Sequence, residues 1–316
     1  MRVIEVAFGI LLATGLAAST AVLRHTEFQH PPSTSAWSGA SDGGKPAGTP
    51  APPVLNHVYI VLDAATFTAI RESRELVRLL GRRDGGLPDY APPPPDADRL
   101  FFRGRQTYLE IFAPNNRFRE PVGKVGLALG YDQPEQFKAL EHAWRAACGN
   151  EMRRTQVEFK RIQPPVPWYD AVQCDSTAAR SDLAVWAMVY RPEFLRWQSG
   201  TIDTPARVAR ADVLASRAAA GQGRFDITAI EIDVSAPLHA KLVKQLEQAG
   251  FLREDGALGT RLRGDGVELL LRAVNDDPRL VSMLVATDAE LPNDLKLGSV
   301  RITQRSKGSA HLLLAN

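Results

Sequence analysis

The sequence predicts an α+β fold built from a repeated strand-helix-strand module. Three runs carry this reading. Leu55 to Asp63, Gly123 to Leu129 and Asp226 to Val234 are each rich in β-branched or small apolar residues, and each leads within about ten residues into an amphipathic helical pattern. Recurrence of the same strand-to-helix step marks a supersecondary unit rather than three unrelated segments.

In the first unit, alternation places Val58, Ile60 and Leu62 on one face of the strand and His57, Tyr59 and Val61 on the other. Phe67, Ile70, Val77 and Leu80 then predict one amphipathic helix with an Arg- and Glu-rich outer side. The Gly- and Pro-rich stretch from Arg82 to Asp98 reads as a loop, followed by strands over 100–103 and 107–112. The second unit continues from its strand into a helix carrying Phe137, Leu140, Trp144 and Ala147, then strands over 156–162 and 183–190. The third follows Asp226 to Val234 with a helix striped by Leu238, Leu242, Leu246 and Ala249, and with strands near 259–263, 267–273, 280–287 and 299–303. The expected organisation is paired modules over 54–222 and a third module over 223–316.

The ends and the composition narrow the classes of function. Residues 6–23 are uncharged and follow Arg2 and Glu5, close to the roughly 20 residues that span a bilayer. The small residues Ala17 to Ala21 suit a cleaved signal peptide, and a retained membrane anchor stays open beside it. Residues 24–53, dense in Pro, Gly, Ser and Thr, lack the apolar bulk to fold and read as a tether to an exported domain, periplasmic, secreted or anchored facing outward. With 38 basic against 36 acidic residues and no basic block, nucleic acid is not an expected partner. Cys148 and Cys174 would be free to pair in an oxidising compartment, and two free thiols are the alternative.

The runs Leu55 to Asp63 and Arg105 to Pro114 resemble the first and last strands of the βαβββ module of the glyoxalase, bleomycin-resistance and extradiol-dioxygenase proteins, the vicinal oxygen chelate superfamily. Trp168-Tyr169 and the stretch Trp186 to Trp197 look more specifically like an uncharacterised glyoxalase-like group of exported bacterial proteins. The resemblance implies mixed sheets that curl around a cavity, and a divalent metal (Zn, Mn, Fe or Ni) held from the first and last strands of paired modules. Carried over, His57 matches a first-strand ligand and Glu110 a last-strand ligand, with Glu110 also the catalytic candidate. Alternation agrees, since Tyr108, Glu110 and Phe112 share one face while Leu109 and Ile111 take the other, so that both His57 and Glu110 point away from the helix-packed side. The second unit departs from the pattern. Gly126, Ala128 and Val189 stand where ligands would be needed, and Ala229 replaces His57 in the third, with Glu231 and Glu268 nearby.

Tyr59, Tyr108, Phe112, Trp168, Trp186 and Tyr190 are candidates to wall a ligand pocket, and Arg103 or Arg105 to clamp an anionic group. No GxSxG elbow or nucleotide-binding loop occurs. Three functions stay open: a small-molecule binding protein without metal, a metal-dependent lyase, isomerase or dioxygenase, and an envelope scaffold. A homodimer that shares one cavity across two chains also stays open.

Overall fold

The computed structural model describes residues 52–174, 183–200, 208–215 and 223–314. The run expected to be a signal or anchor, nearly all of the expected tether and most of the connection from Thr201 to Arg224 lie outside them. Among the described residues no helix is long and apolar enough to cross a membrane.

The first half opens with β1 (Val54–Val61), α1 (Ala64–Glu72), α2 (Arg74–Leu80), β2 (Arg83–Asp84), β3 (Arg99–Arg103) and β4 (Tyr108–Phe112). A second module follows: β5 (Val125–Tyr131), α3 (Pro134–Cys148), β6 (Met152–Phe159), β7 (Val166–Cys174) and β8 (Leu183–Tyr190). These strands form one sheet in the order β2-β3-β4-β1-β5-β8-β7-β6. Two short helices, α4 (Pro192–Ser199) and α5 (Arg210–Ala215), lead to β9 (Phe225–Ser235), α6 (Ala236–Gln248), β10 (Leu252–Gly256), β11 (Gly259–Arg263) and β12 (Glu268–Val274). The chain then adds β13 (Arg279–Thr287), β14 (Leu295–Leu297), β15 (Val300–Ser306) and β16 (Ser309–Leu314). The second sheet repeats the order of the first: β10-β11-β12-β9-β13-β16-β15-β14. The fold is α+β, with repeated strand-helix-strand modules in mixed sheets, and neither sheet closes into a barrel.

Three expectations change. The single helix predicted from Phe67 to Leu80 is two, because Ser73 turns extended (φ −65°, ψ 119°) and its hydroxyl accepts the Leu76 N–H at 3.0 Å, capping a new helix. The strand expected over 156–162 runs from Met152 to Phe159, and Trp168-Tyr169 lies inside a further strand, β7. The strands expected after residue 223 are joined by β10, β14 and β16, and β13 to β16 repeat the strand plan without a helix. The link there, Asp288-Ala289-Glu290-Leu291-Pro292-Asn293-Asp294, has no apolar helical period and is interrupted by Pro292.

One apolar core joins the two sheets. Val58, Ile60, Leu109, Ile111 and Leu127 from the first sheet and Ile230, Ile232 and Leu271 from the second share it with α1, α2, α3 and α6. The fully buried Trp144 on α3 donates its indole N–H to the Gln245 carbonyl on α6 at 3.1 Å, and Tyr131 donates to the Ala249 carbonyl at 3.2 Å. The β3–β4 turn is also fastened to β9. Asp226 accepts the Gln106 and Thr107 N–H groups at 2.7 and 3.0 Å, and the Thr107 hydroxyl accepts the Ile227 N–H at 2.8 Å. Gly104 is required there, since a Cβ would meet the Phe225 carbonyl oxygen at 2.1 Å.

Cys148 and Cys174 form a disulfide, with Cα atoms 6.0 Å apart, that ties the end of α3 to the end of β7. Closing a loop with a sequence separation of 26 contributes roughly 3 kcal/mol by the chain-entropy account. Cys148→Ser is expected to lower the urea midpoint under non-reducing conditions by that equivalent. Reductant should lower the wild-type midpoint and leave the variant unmoved.

Candidate functional site

The two faces of the first sheet differ in chemistry. Strand alternation sends Val58, Ile60, Leu100, Phe102, Leu109, Ile111, Val125, Leu127, Val185 and Ala187 into the helix-packed core. The opposite face carries the candidate residues, ordered by register. Arg103, Tyr108, His57, Ala128, Trp186 and Gln173 form one row across β3, β4, β1, β5, β8 and β7. Phe101, Glu110, Tyr59, Gly126 and Ala184 form the next. The sequence-predicted His57, Tyr59, Tyr108, Glu110, Phe112 and Trp186 therefore meet on one surface.

His57 is held on three sides. Its ring stacks on Tyr108 at 4.3 Å between centroids, meets Trp186 edge-on at 5.3 Å, and its Nδ1 lies 2.8 Å from the Asn56 side-chain oxygen. Asn56 reaches this face because β1 bulges between Leu55 and His57 against β5, inserting one unpaired residue. The Tyr190 hydroxyl also donates to Asn56, at 3.5 Å. Burial, reinforced by the Arg103 guanidinium, holds the imidazole down at about 3, so it is neutral at physiological pH.

Glu110 moves the other way. Burial pushes its carboxyl up to about 7, against the pull of Arg99 and Arg103, and its salt bridge is to Arg99 at 3.3 Å. Arg103 makes a forked pair with the fully buried Asp84 at 2.8 and 3.2 Å and packs over Tyr90, Phe101 and Tyr108 at 4.5, 4.7 and 5.2 Å. It is thus part of the site wall with its charge already engaged. Arg105 lies outside the site, paired with Asp226 and Asp288.

Tyr59 occupies the space above Gly126. A Cβ on that glycine would lie 2.0 Å from the ring, so only glycine admits the tyrosine. The ring also contacts Phe112 at 5.5 Å and Trp186 at 5.9 Å. Trp168 does not join this set: it packs on Phe159 and Phe194 at the outer end of the face.

Sequence reasoning missed the cover. Phe194 and Leu195 of α4, with Val208 and Val213 at α5, pack on Ala128, Met188 and Tyr190, while Leu214 packs on Phe101 and Tyr108. Arg210 pins α5 by donating to the Leu55 carbonyl, to Asp132 at 3.3 Å and to Gln106 at 3.2 Å. The available signal was Pro192 at a helix start and the apolar spacing of Val208, Val213 and Leu214.

A catalytic divalent centre usually takes three protein ligands, and the residues present do not fit one. Among the described residues no three His, Cys, Asp or Glu side chains gather to hold an ion. Gly126 and Ala128, facing His57 and Tyr59 from the partner module, carry no donor atoms. On the second sheet Glu231 is paired with Arg272 at 2.9 Å and Glu268 with Arg261 at 2.9 Å, so neither supplies the missing ligand.

Residues 55–306 match the family model of DUF5829, described as a family of unknown function. No curated protein matches the chain. Among solved structures, a hypothetical protein from Staphylococcus aureus is similar at a TM-score of 0.49 and 10% identity, over 77% of this chain and 94% of that one. An extradiol ring-cleaving dioxygenase from B. fuscum is similar at 0.36 and 13%, over 72% and 56%. A Mn(II)-bound glyoxalase from Novosphingobium aromaticivorans is similar at 0.38 and 14%, over 73% and 64%. The chain thus spans less than two thirds of the dioxygenase and of the glyoxalase. With TM-scores below 0.5, none of these likenesses bears on the chemistry of the site.

The two shifted groups give opposite pH signatures. The folded state holds the Glu110 proton between 4.5 and about 7, where the unfolded chain has released it. Stability relative to Glu110→Gln is therefore expected to fall as pH rises through that window, by up to about 1.4 kcal/mol per unit. Neutral His57 favours folding fully above 6.5, and that contribution is lost as pH falls toward about 3. Relative to His57→Gln, the wild type should weaken on acidification. Urea midpoints from pH 4 to 8 check both signs, and parallel profiles would contradict them.

Proposed function

This chain belongs to the DUF5829 family of unknown function, and we propose that it binds a small, ring-bearing molecule on the aromatic face of its first sheet, beneath α4 and α5. One observation carries the reading. The same strands whose helix-side residues are wholly apolar bury His57, Glu110, Asp84 and Asn56 on the other side. Burying such groups opposes folding unless they are engaged, and perturbed ionisable groups on one surface mark functional sites more often than scaffolds. The flanking rings of Tyr59, Phe112, Trp186 and Tyr108 offer flat apolar contact, and His57 and Tyr190 offer neutral hydrogen-bonding groups.

The protein acts outside the cytoplasm in this reading. The Cys148–Cys174 disulfide supports an oxidising compartment, and the uncharged run over 6–23 supplies an export or anchoring signal. A catalytic use of the same site would fall to Glu110, whose carboxyl near 7 suits proton transfer to and from a bound molecule.

The test pairs elemental analysis with ligand screening on purified protein. Metal is expected below stoichiometry before and after incubation with Zn, Mn, Fe or Ni salts. An aromatic ligand at a hundred times its Kd should stabilise the wild type by about 2.7 kcal/mol. That gain should vanish in Tyr59→Ala and Trp186→Ala. One equivalent of metal, lost in a His57→Ala/Glu110→Ala variant, would instead restore the chelate-enzyme reading.

A further inference from the structure

One end of the aromatic face is bordered by guanidinium groups. Arg99, on the row beyond Phe101, bridges Glu110 at 3.3 Å through one terminal nitrogen, and its buried Nε has no hydrogen-bond partner. Its guanidinium also lies 5.3 Å from the Phe101 ring and 5.7 Å from that of Phe118. Phe118 is 52% exposed yet meets Phe112 at 5.5 Å, and Phe112 in turn meets Tyr59, so a continuous series of rings runs from solvent to the buried face. Two further arginines stand here. Arg117 pairs with Asp98 at 2.8 Å and feels the charge of Glu110, while Arg161 donates to the Leu87 carbonyl at 3.2 Å. Among the described residues no carboxylate pairs with Arg161, which feels the charges of Arg99 and Arg117 and, against them, that of Asp98. Glu120, also near Tyr59, is balanced by Lys124 at 3.5 Å.

Three guanidinium groups thus face the two carboxylates Asp98 and Glu110. The balance becomes more positive whenever Glu110 holds a proton. Concentrated positive charge beside a ring-lined entrance, with one buried N–H unsatisfied, is poorly explained by packing: a satisfied core would leave neither.

We propose that this entrance selects an anionic ligand, a carboxylate or comparable planar oxyanion attached to a ring, with the anion against the free Nε edge of Arg99 and Arg161 adding attraction. The proposal rests on the small-molecule reading of the aromatic face and names the ligand's charge. It makes Arg99 the charge-selecting residue and Glu110 its internal counterion, displaced from Arg99 when the ligand's own anion arrives. A planar oxyanion suits the fork of an arginine better than a lysine ammonium would.

Matched pairs of probes separate the two readings. Binding of benzoate against benzamide, and of 2-naphthoate against 2-naphthamide, is measured by calorimetry on the full chain at low salt. The acid of the binding pair is expected to bind about tenfold or more tighter than its amide, the scale of one charged hydrogen bond. Arg99→Gln should bring acid and amide within about twofold of each other by weakening the acid alone. Because Arg99 also bridges Glu110, Arg161→Gln gives a second reading at a residue that donates to the Leu87 carbonyl and pairs with no described carboxylate, and it should reduce the preference for the acid and its dependence on salt. Equal affinities of acid and amide in the wild type would overturn the anion assignment and leave the aromatic site standing. Binding of none of the four probes would overturn both.

Discussion

The site depends on the parallel pairing of β1 with β4. These strands are separated by some 50 residues of sequence, and their register sets His57 beside Tyr108 and Tyr59 beside Glu110. Because side chains alternate with period two, a slip of one residue would exchange the whole set, sending His57 and Tyr59 into the helix layer and Val58 and Ile60 outward. The apolar core therefore does more than hold the sheet together. By requiring Val58, Ile60, Leu109 and Ile111 inside, it leaves the polar residues no other face to occupy.

Much of this was legible along single strands. Alternation alone grouped Tyr108, Glu110 and Phe112 along their strand and His57 with Tyr59 along theirs, each set turned away from the helices, and the recurrent strand-to-helix step gave the module. What alternation cannot encode is pairing. The seat of Tyr59 over Gly126 joins residues 67 positions apart and depends on the β1–β5 register, so Gly126 read only as a missing ligand. Asn56 was hidden for a related reason: the bulge that turns it toward His57 interrupts the very period by which the strand was recognised. Arg99 and Asp84 lie at strand edges where charge ordinarily means solvent, and only the structure shows them engaged. The last four strands gave a weaker pattern because their module lacks the helix that announced the others.

The electrostatics follow from one low-dielectric environment acting on unlike groups. Burial raises the carboxyl of Glu110 and lowers the imidazole of His57, driving both toward neutrality. Arg103 retains its charge because Asp84 meets it with two bonds. The face thus has a neutral centre at His57 and Tyr59 and a charged border at Arg99 and Arg103, a gradient that favours an amphipathic occupant over a uniformly apolar one.

The grip of Asp226 on the β3–β4 turn has a mechanical meaning. At the Arg103–Tyr108 end, the hairpin is moored to the second half of the molecule through backbone N–H groups as well as side chains. Its far end, at Arg99 and Phe112, is fastened within the first sheet instead, where the Leu62 N–H donates to the Phe112 carbonyl at 3.0 Å and the Ala113 N–H to the Asp98 carbonyl at 2.8 Å. One end of the hairpin thus answers to both halves of the molecule and the other to the first half alone. A strain arising in the second half would reach the site first through Tyr108, the ring on which His57 stacks.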